Sequence, residues 1–257
     1  MTRSSAGPLP IALLAAGEGR RLRGTDIGRP KPLTPLADRT IGGWSLSSLA
    51  AAGATELLVV VGWQTEATRA HYSELANDVG VEIGFAEAPQ WKKGNGVSAL
   101  AAAAHFGERP FVLAMADHLF STAFLEDALS IAPRPGEVIL VIDREPAPTI
   151  DLDDLTKVRT RGNRIVEIGK DLEDWDAGDT GFFVCTSVLG EVLDAAQQDG
   201  EFALTDGVRR LARTGRLRSR ETTHAWMDID TPEDLAAAEQ AGSPVRSRSK
   251  ATVHEPV

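Results

Sequence analysis

The sequence predicts an α/β fold in three layers: a mixed, mostly parallel sheet covered by helices on both faces, with a β-hairpin insertion. Three observations predict it. Short runs rich in Val, Ile, Leu and Phe alternate with amphipathic, alanine-rich stretches, the strand-then-helix rhythm of βαβ units. The short runs are apolar on both sides of the pleat, as strands must be when both faces are covered. After residue 142 the rhythm breaks, and Gly162-Asn163 between two alternating runs reads as the two-residue turn of a hairpin.

Taken in order, strands are expected at 10–14, 57–61, 81–86, 111–115 and 138–142. Helices are expected between and after them at 44–52, 65–77, 97–104 and 123–131. Thr65 and Ser121 are the expected N-caps, and Gly53 and Gly80 sit where helices should stop. An acidic loop at 151–154 reads as a solvated charge run, followed by hairpin strands at 157–160 and 164–168. A second acidic loop, 171–179, leads into a strand at 181–185. Helices at 187–197 and 204–214 follow, then a strand ending at Asp228 and a helix opening at Thr231-Pro232. From Ala241 onward Ser, Arg and Pro rise and periodicity disappears. The organisation expected is a flexible start at 1–8, one α/β domain over 9–240 and a disordered tail at 241–257.

Composition excludes several function classes. The 257 residues carry 27 Lys and Arg against 37 Asp and Glu, a net charge of −10. Such a surface repels nucleic acid and anionic lipid, so neither is expected as a partner. The single cysteine, Cys185, can form no internal disulfide and no paired-cysteine zinc site. No apolar run approaches the ~18 residues of a membrane span. The run 9–16 after Arg3 is short for a leader and passes straight into Glu18-Gly19-Arg20-Arg21, so a cytoplasmic location is expected.

In an open α/β sheet, ligands bind beyond the carboxyl ends of the strands. After the first strand comes Leu14-Ala15-Ala16-Gly17-Glu18-Gly19-Arg20-Arg21-Leu22, where small residues let backbone N–H groups approach an anion and Arg20, Arg21 and Arg23 supply charge. The dinucleotide fingerprint fails, because Leu22 holds the third glycine position, and no Gly-Lys-Ser or Gly-Lys-Thr loop occurs. Pro30-Lys31-Pro32-Leu33 brings a lysine between two prolines within reach of the same loop. Asp117 follows the fourth strand, Asp228 and Asp230 the last, and Gly94-Asn95-Gly96 precedes a helix.

These residues resemble the signature of nucleotidyltransferases acting on sugar phosphates and related polyol phosphates: Leu14-Ala15-Ala16-Gly17-x-Gly19-x-Arg21-Leu22, then Pro30-Lys31-Pro32. Arg20 departs from the pattern, which has Thr or Ser there. The resemblance runs over about residues 9–240, through Gly94-Asn95-Gly96, Asp117 and the stretch from Trp226 to Leu235. Met115-Ala116-Asp117-His118, Lys157-Val158, Ile168-Gly169-Lys170-Asp171-Leu172 and Asp179-Thr180-Gly181-Phe182-Phe183 look most like the cytidylyltransferases that make CDP-inositol from inositol 1-phosphate.

The resemblance implies a Rossmann-like nucleotidyltransferase fold, a nucleoside triphosphate (CTP favoured) and a phosphorylated polyol or sugar as substrates, and pyrophosphate as product. It implies that Arg21 and Lys31 are the catalytic cations. Nucleotide contacts fall to Leu14, Ala15, Ala16, Gly17, Gly19, Gly94, Asn95 and Gly96. The acceptor falls to Lys170, Asp179, Thr180 and Gly181, and Mg²⁺ to Asp117 and Asp228, with Asp230 as substitute. Relatives often dimerise, which leaves a homodimer open. The chemistry agrees: a phosphomonoester, with a second pKa of about 6, is already an anionic nucleophile near neutral pH. No Ser–His–Asp or Cys–His arrangement is needed, and none stands out.

Other readings remain open. Asp117 can cap the next helix, and either Asp228 or Asp230 can cap the helix that Pro232 opens while the other binds metal. His118 reads as a structural hydrogen-bonder, and Lys92 and Lys93 as surface lysines near the triphosphate. Hexose 1-phosphate with another nucleotide, phosphocholine and a phosphonate are alternative substrates. A nucleotide-sugar glycosyltransferase, whose Asp-x-Asp site Asp228-Ile229-Asp230 imitates, is the rival class, and a non-catalytic nucleotide sensor a second.

Overall fold

The computed structural model describes residues 8–23, 28–148 and 150–240, with the side chain of Arg23 left out. The expectations for Arg23, for the start of the chain up to residue 7 and for the tail 241–257 fall outside the described residues. Elements run β1 (Ile11–Leu14), α1 (Arg20–Arg23), β2 (Pro35–Leu36), β3 (Arg39–Thr40), α2 (Ile41–Ala51), β4 (Glu56–Val61), α3 (Thr65–Val79) and β5 (Glu82–Glu87). Then come α4 (Asn95–Phe106), β6 (Phe111–Met115), β7 (His118–Phe120), α5 (Thr122–Leu129), β8 (Val138–Asp143), β9 (Lys157–Arg161) and β10 (Arg164–Gly169). The last are β11 (Ala177–Cys185), α6 (Val188–Gln198), α7 (Leu204–Arg213), β12 (Leu217–Thr222), β13 (Trp226–Asp228) and α8 (Pro232–Gln240).

Nine strands form one sheet in the order β5-β4-β1-β6-β11-β8-β12-β10-β9. The first four are mutually parallel, so their carboxyl ends and the loops beyond them share one edge. β11 enters antiparallel between β6 and β8, and β10 antiparallel between β12 and β9. The sheet is therefore mixed, and the expectation of a mostly parallel one holds for strand direction but not for pairing. Helices cover both faces because strand residues alternate between two apolar clusters. Ala12, Leu14, Leu58 and Val60 face α4, α6 and α7, whereas Ile11, Leu13, Leu57 and Val59 face α2, α3 and α5. A third cluster joins Leu22, Leu36, Ile41, Leu119, Ile229 and Ala238. It locks the turn after β1 to β2, β7, β13 and α8.

Four expectations need correcting. Gln64, in the left-handed region, precedes α3; Thr65 lies inside the helix and its hydroxyl donates to the Gly62 carbonyl at 3.0 Å. α2 begins at Ile41 rather than 44, capped by Thr40, whose hydroxyl accepts the Gly43 N–H at 3.0 Å. β11 begins at Ala177 rather than 181, because Gly178 and Asp179 pair with Asp143 and Ile142 of β8. β12, whose Arg-rich alternation hid it, is an interior strand of the sheet. Ser121 does cap α5, accepting from Phe124 N at 3.2 Å, and the Gly162-Asn163 hairpin is present.

Candidate active site

Two clefts open beyond the strand ends and share Arg21 and Asp230. The smaller, about 260 Å³, is walled by backbone: Leu14, Ala15, Gly17 and Gly19 on one side, Lys31, Asp117 and Asp230 on the other. Gly17 faces open space, while Gly19 (φ +62°) is pressed on Lys31, where a Cβ would come within 2.6 Å of the lysine Cβ. Only glycine meets both demands, a left-handed backbone and a lysine stem in direct contact. Ala16 turns inward, its carbonyl accepting the Trp63 N–H at 3.0 Å, and does not line this cleft.

Lys31 occupies a short 3-10 turn and is almost wholly buried. Its ammonium donates to Asp117 Oδ2 at 2.6 Å and Asp230 Oδ1 at 2.5 Å, with Asp228 Oδ1 4.0 Å away. Burial works against its charge, but the three carboxylates outweigh that and hold its pKa above the ordinary lysine range. Burial likewise pushes against ionised Asp117, yet Lys31 and the His118 hydrogen bond keep that carboxyl well below the usual range. Arg21 donates to Asp230 Oδ2 at 2.6 Å and to Asp154.

The larger cleft, about 510 Å³, is lined by His118, Asp154, Lys170, Asp179, Trp226 and Asp228 among others. His118 Nδ1 lies 2.9 Å from Asp117 Oδ1 and 3.4 Å from Asp228 Oδ1, and its ring stacks on Trp226 at 6.0 Å. Burial opposes its charge, but Asp228 and Asp117 raise its pKa to about 9. Asp228 is pushed up to about 7, chiefly by burial and with Asp117 adding to it, against the pull of His118 and Lys31. Its Oδ1 is buried and has no hydrogen-bond partner among the described residues. Burial also lifts Asp179 to about 6, although the Gly181 N–H, 2.7 Å from Oδ1, pulls the other way.

An oxygen-rich cation site fits this geometry. Asp117, His118 and Asp228 offer ligand atoms all within 4.8 Å of one another, and the orphaned Asp228 oxygen points to a missing partner. Asp117 and Asp228 supply the oxygens that a hard divalent ion prefers. The helix-cap alternatives fail: Thr231 and Asp234 close the first turn of α8 on each other, Asp234 Oδ2 accepting from Thr231 N at 2.8 Å. Asp230 instead spends its carboxylate on Lys31 and Arg21.

Besides Ala16, three more expected site residues line neither cleft. Thr180 is fully buried, its hydroxyl donates to the Val141 carbonyl at 2.8 Å, and it lines neither cleft. Gly94 and Gly96 line neither cleft; they are glycines because the backbone of Phe202 lies against them, its carbonyl 2.4 and 2.6 Å from where their Cβ atoms would sit. Gly96 N–H is spent on that carbonyl at 2.9 Å, and Asn95 Oδ1 accepts Leu204 N–H at 2.8 Å, although Asn95 still borders the larger cleft. Asp154, read in the sequence as part of a solvated run, accepts from both Arg21 and Lys170. Nothing in the sequence set it apart from Asp151 and Asp153.

The MobA-like NTP transferase domain matches residues 11–213. A bifunctional IPC transferase and DIPP synthase of Rubrobacter xylanophilus is 35% identical over 89% of this chain and 51% of its own length. The enzyme of the same name from Archaeoglobus fulgidus is 33% identical over 91% and 44%. The chain thus spans about half the length of these curated relatives. The structure of the inositol-1-phosphate CTP transferase from T. maritima superposes with a TM-score of 0.78 at 23% identity, over 92% of this chain and 98% of that one.

Proposed function

This chain belongs to the MobA-like NTP transferase family, and we propose that it joins CTP to inositol 1-phosphate, releasing pyrophosphate, with Mg²⁺ as cofactor. The observation that carries the reading is the pair of clefts meeting at Arg21 and Asp230. The smaller, with glycine backbone and Lys31, suits phosphates; the larger, with Lys170 and the Asp179 carboxylate, suits a phosphate bearing several hydroxyls. CTP and inositol 1-phosphate are supported by the four motif stretches from Met115 to Phe183 and by relatives of the IPC transferase type at 32–35% identity.

The acceptor phosphate needs no base, so the chain's task is to position two polyanions and offset their repulsion. Arg21 and Lys31 orient the triphosphate, and Lys170 anchors the acceptor phosphate. Asp117, Asp154, Asp228 and Asp230 surround these three cations, leaving the protein alone with too little positive charge for two phosphate substrates. Asp117 and Asp228 would hold a divalent ion, which would supply the remaining charge neutralisation. His118 Nδ1 lies against an oxygen of each carboxylate. Asp179 offers oxygens to ring hydroxyls, and a site built on such bonds rejects an analogue lacking them.

A phosphonate acceptor is the second reading, favoured by a 29% identity over 95% of this chain to the CMP-5'-(3-aminopropyl)phosphonate synthase of Streptomyces rubellomurinus. The family match goes against the glycosyltransferase reading. The test is a matrix of four nucleoside triphosphates against inositol 1-phosphate, glucose 1-phosphate, phosphocholine and 3-aminopropylphosphonate, read as pyrophosphate release. CTP with inositol 1-phosphate is expected to be fastest, with turnover abolished by chelator and restored by Mg²⁺. A preference for phosphocholine or the phosphonate over both cyclic phosphates overturns the polyol acceptor. Full activity in excess chelator overturns the metal.

A further inference from the structure

We propose that Asp154 is a positioning residue that ties the two halves of the site together, holding Arg21 of the nucleotide side and Lys170 of the acceptor side on one carboxylate. The proposal rests on the reading above of what Arg21 and Lys170 bind.

Arg21 stands on the turn after β1 and Lys170 directly after β10, far apart in the chain. Asp154 Oδ2 accepts from Arg21 and Oδ1 from Lys170, so a single carboxylate spans the gap between them. With N–O contacts of ordinary charged length, such a bridge keeps the two cationic groups within about 8 Å of each other. Without it, Arg21 keeps its bond to Asp230, but Lys170, 50% exposed on a long stem and repelled by the like charge of Arg21, swings away from it.

The bridge itself is anchored. Asp151 closes the turn beneath it, its Oδ1 accepting Asp153 N–H at 2.9 Å and its carbonyl accepting Leu155 N–H at 3.0 Å. Leu155 is buried against Gly178 of β11, where a Cβ would come within 2.8 Å of its side chain. Thr156 O accepts Asp179 N–H at 2.9 Å, fastening the next residue to the same strand. A fixed carboxylate thus holds two half-exposed cations, and an ion pair this exposed adds little to stability. Burial opposes ionisation of Asp154, but the bonds from Lys170 and Arg21 bring its pKa down to about 2, so it is charged throughout the working pH range.

In the reaction an acceptor phosphate oxygen bonds to the α-phosphorus as the bond to pyrophosphate breaks. That oxygen travels with Lys170 and the triphosphate with Arg21, so the separation Asp154 sets between the two cations governs how closely the acceptor oxygen lies to the α-phosphorus. The same negative charge beside two phosphates opposes their binding. Positioning and binding therefore respond to its removal in opposite directions.

The test compares Asp154→Ala, Asp154→Asn and Asp154→Glu with wild type, using whichever substrate pair wild type turns over fastest. Misplacement on the ångström scale costs up to about a hundredfold in rate. The expected result is a kcat lower by about ten- to a hundredfold in the Ala and Asn variants. Both KM values stay the same or fall, Tm is unchanged, and Asp154→Glu recovers part of kcat. A kcat within twofold of wild type in Asp154→Ala, a loss confined to KM, or a fall in Tm that accounts for the lost activity overturns the proposal. Failure of the underlying reading is distinguishable: wild type then turns over none of the pairs, and the proposal falls with it.

Discussion

The two clefts that meet at Arg21 and Asp230 are built in different ways. The smaller takes most of its wall from one stretch of chain, residues 14 to 32, and adds two carboxylates from elsewhere. The larger gathers side chains from β6, the turn before β9, β10, β11, α7, β13 and α8. Their electrostatics differ as well. Asp117 and Lys31 in the small cleft hold their charges far from any titration near neutral pH, whereas His118, Asp179 and Asp228 in the large one are shifted to about 9, 6 and 7. In the metal-free protein the small cleft is a fixed cradle of charge, whereas Asp179 and Asp228 in the large one are shifted toward neutral pH.

The sharpest way to break this contrast is Lys31→Ala. Loss of a preorganised cation at a reacting phosphate is expected to lower kcat by on the order of 10²-fold, with a smaller effect on KM. It also leaves Asp117 and Asp230 facing each other without their buried partner, at a cost of about 3 kcal/mol in denaturant unfolding. An intact kcat with only the acceptor KM raised would put Lys31 in the wrong cleft.

The second measurement is stability against pH in metal-free protein. His118 has a folded pKa near 9, above its ordinary 6.5, so the folded state holds its proton more tightly than the unfolded state. Its contribution is complete below pH 6.5 and lost as pH rises through 9. Tm is expected to fall across that window in wild type and to fall less in His118→Gln. Equal slopes would mean that His118 is not the group that titrates.

The smallest expected effect is at Thr180. Thr180→Val removes the bond to the Val141 carbonyl and is expected to cost about 1 kcal/mol of stability while leaving the acceptor KM unchanged. A raised KM would return Thr180 to the acceptor surface.

How much was legible in the sequence follows the same division. The strands 111–115 and 138–142 could be read because burial on both faces writes an unbroken apolar run. β12 could not, because Arg218 and Arg220 interrupt the pattern, and Arg218 reaches Glu137 at 3.8 Å and Arg220 Asp127 at 2.9 Å. The start of β11 was hidden by Gly178 and Asp179, loop-like residues that become strand only through pairing with β8. Gly94 and Gly96 were visible as glycines, but their reason, the Phe202 backbone, lies a hundred residues downstream.

By itself the sequence determined the alternation of buried strands and helices, and the glycine turn with Lys31 close behind it. Those features depend on composition and on spacing within a few dozen residues, where local backbone preference and apolar periodicity act. Only the tertiary structure decided which carboxylate meets which cation. It set Asp230 between Lys31 and Arg21, left a buried Asp228 oxygen without a hydrogen bond among the described residues, and brought Asp154 from an apparently solvated run to the junction of the two clefts. The physical reason is that an ion pair's energy depends on distance and burial, and for residues remote in the chain both are set by how the sheet and the turns at its edge pack.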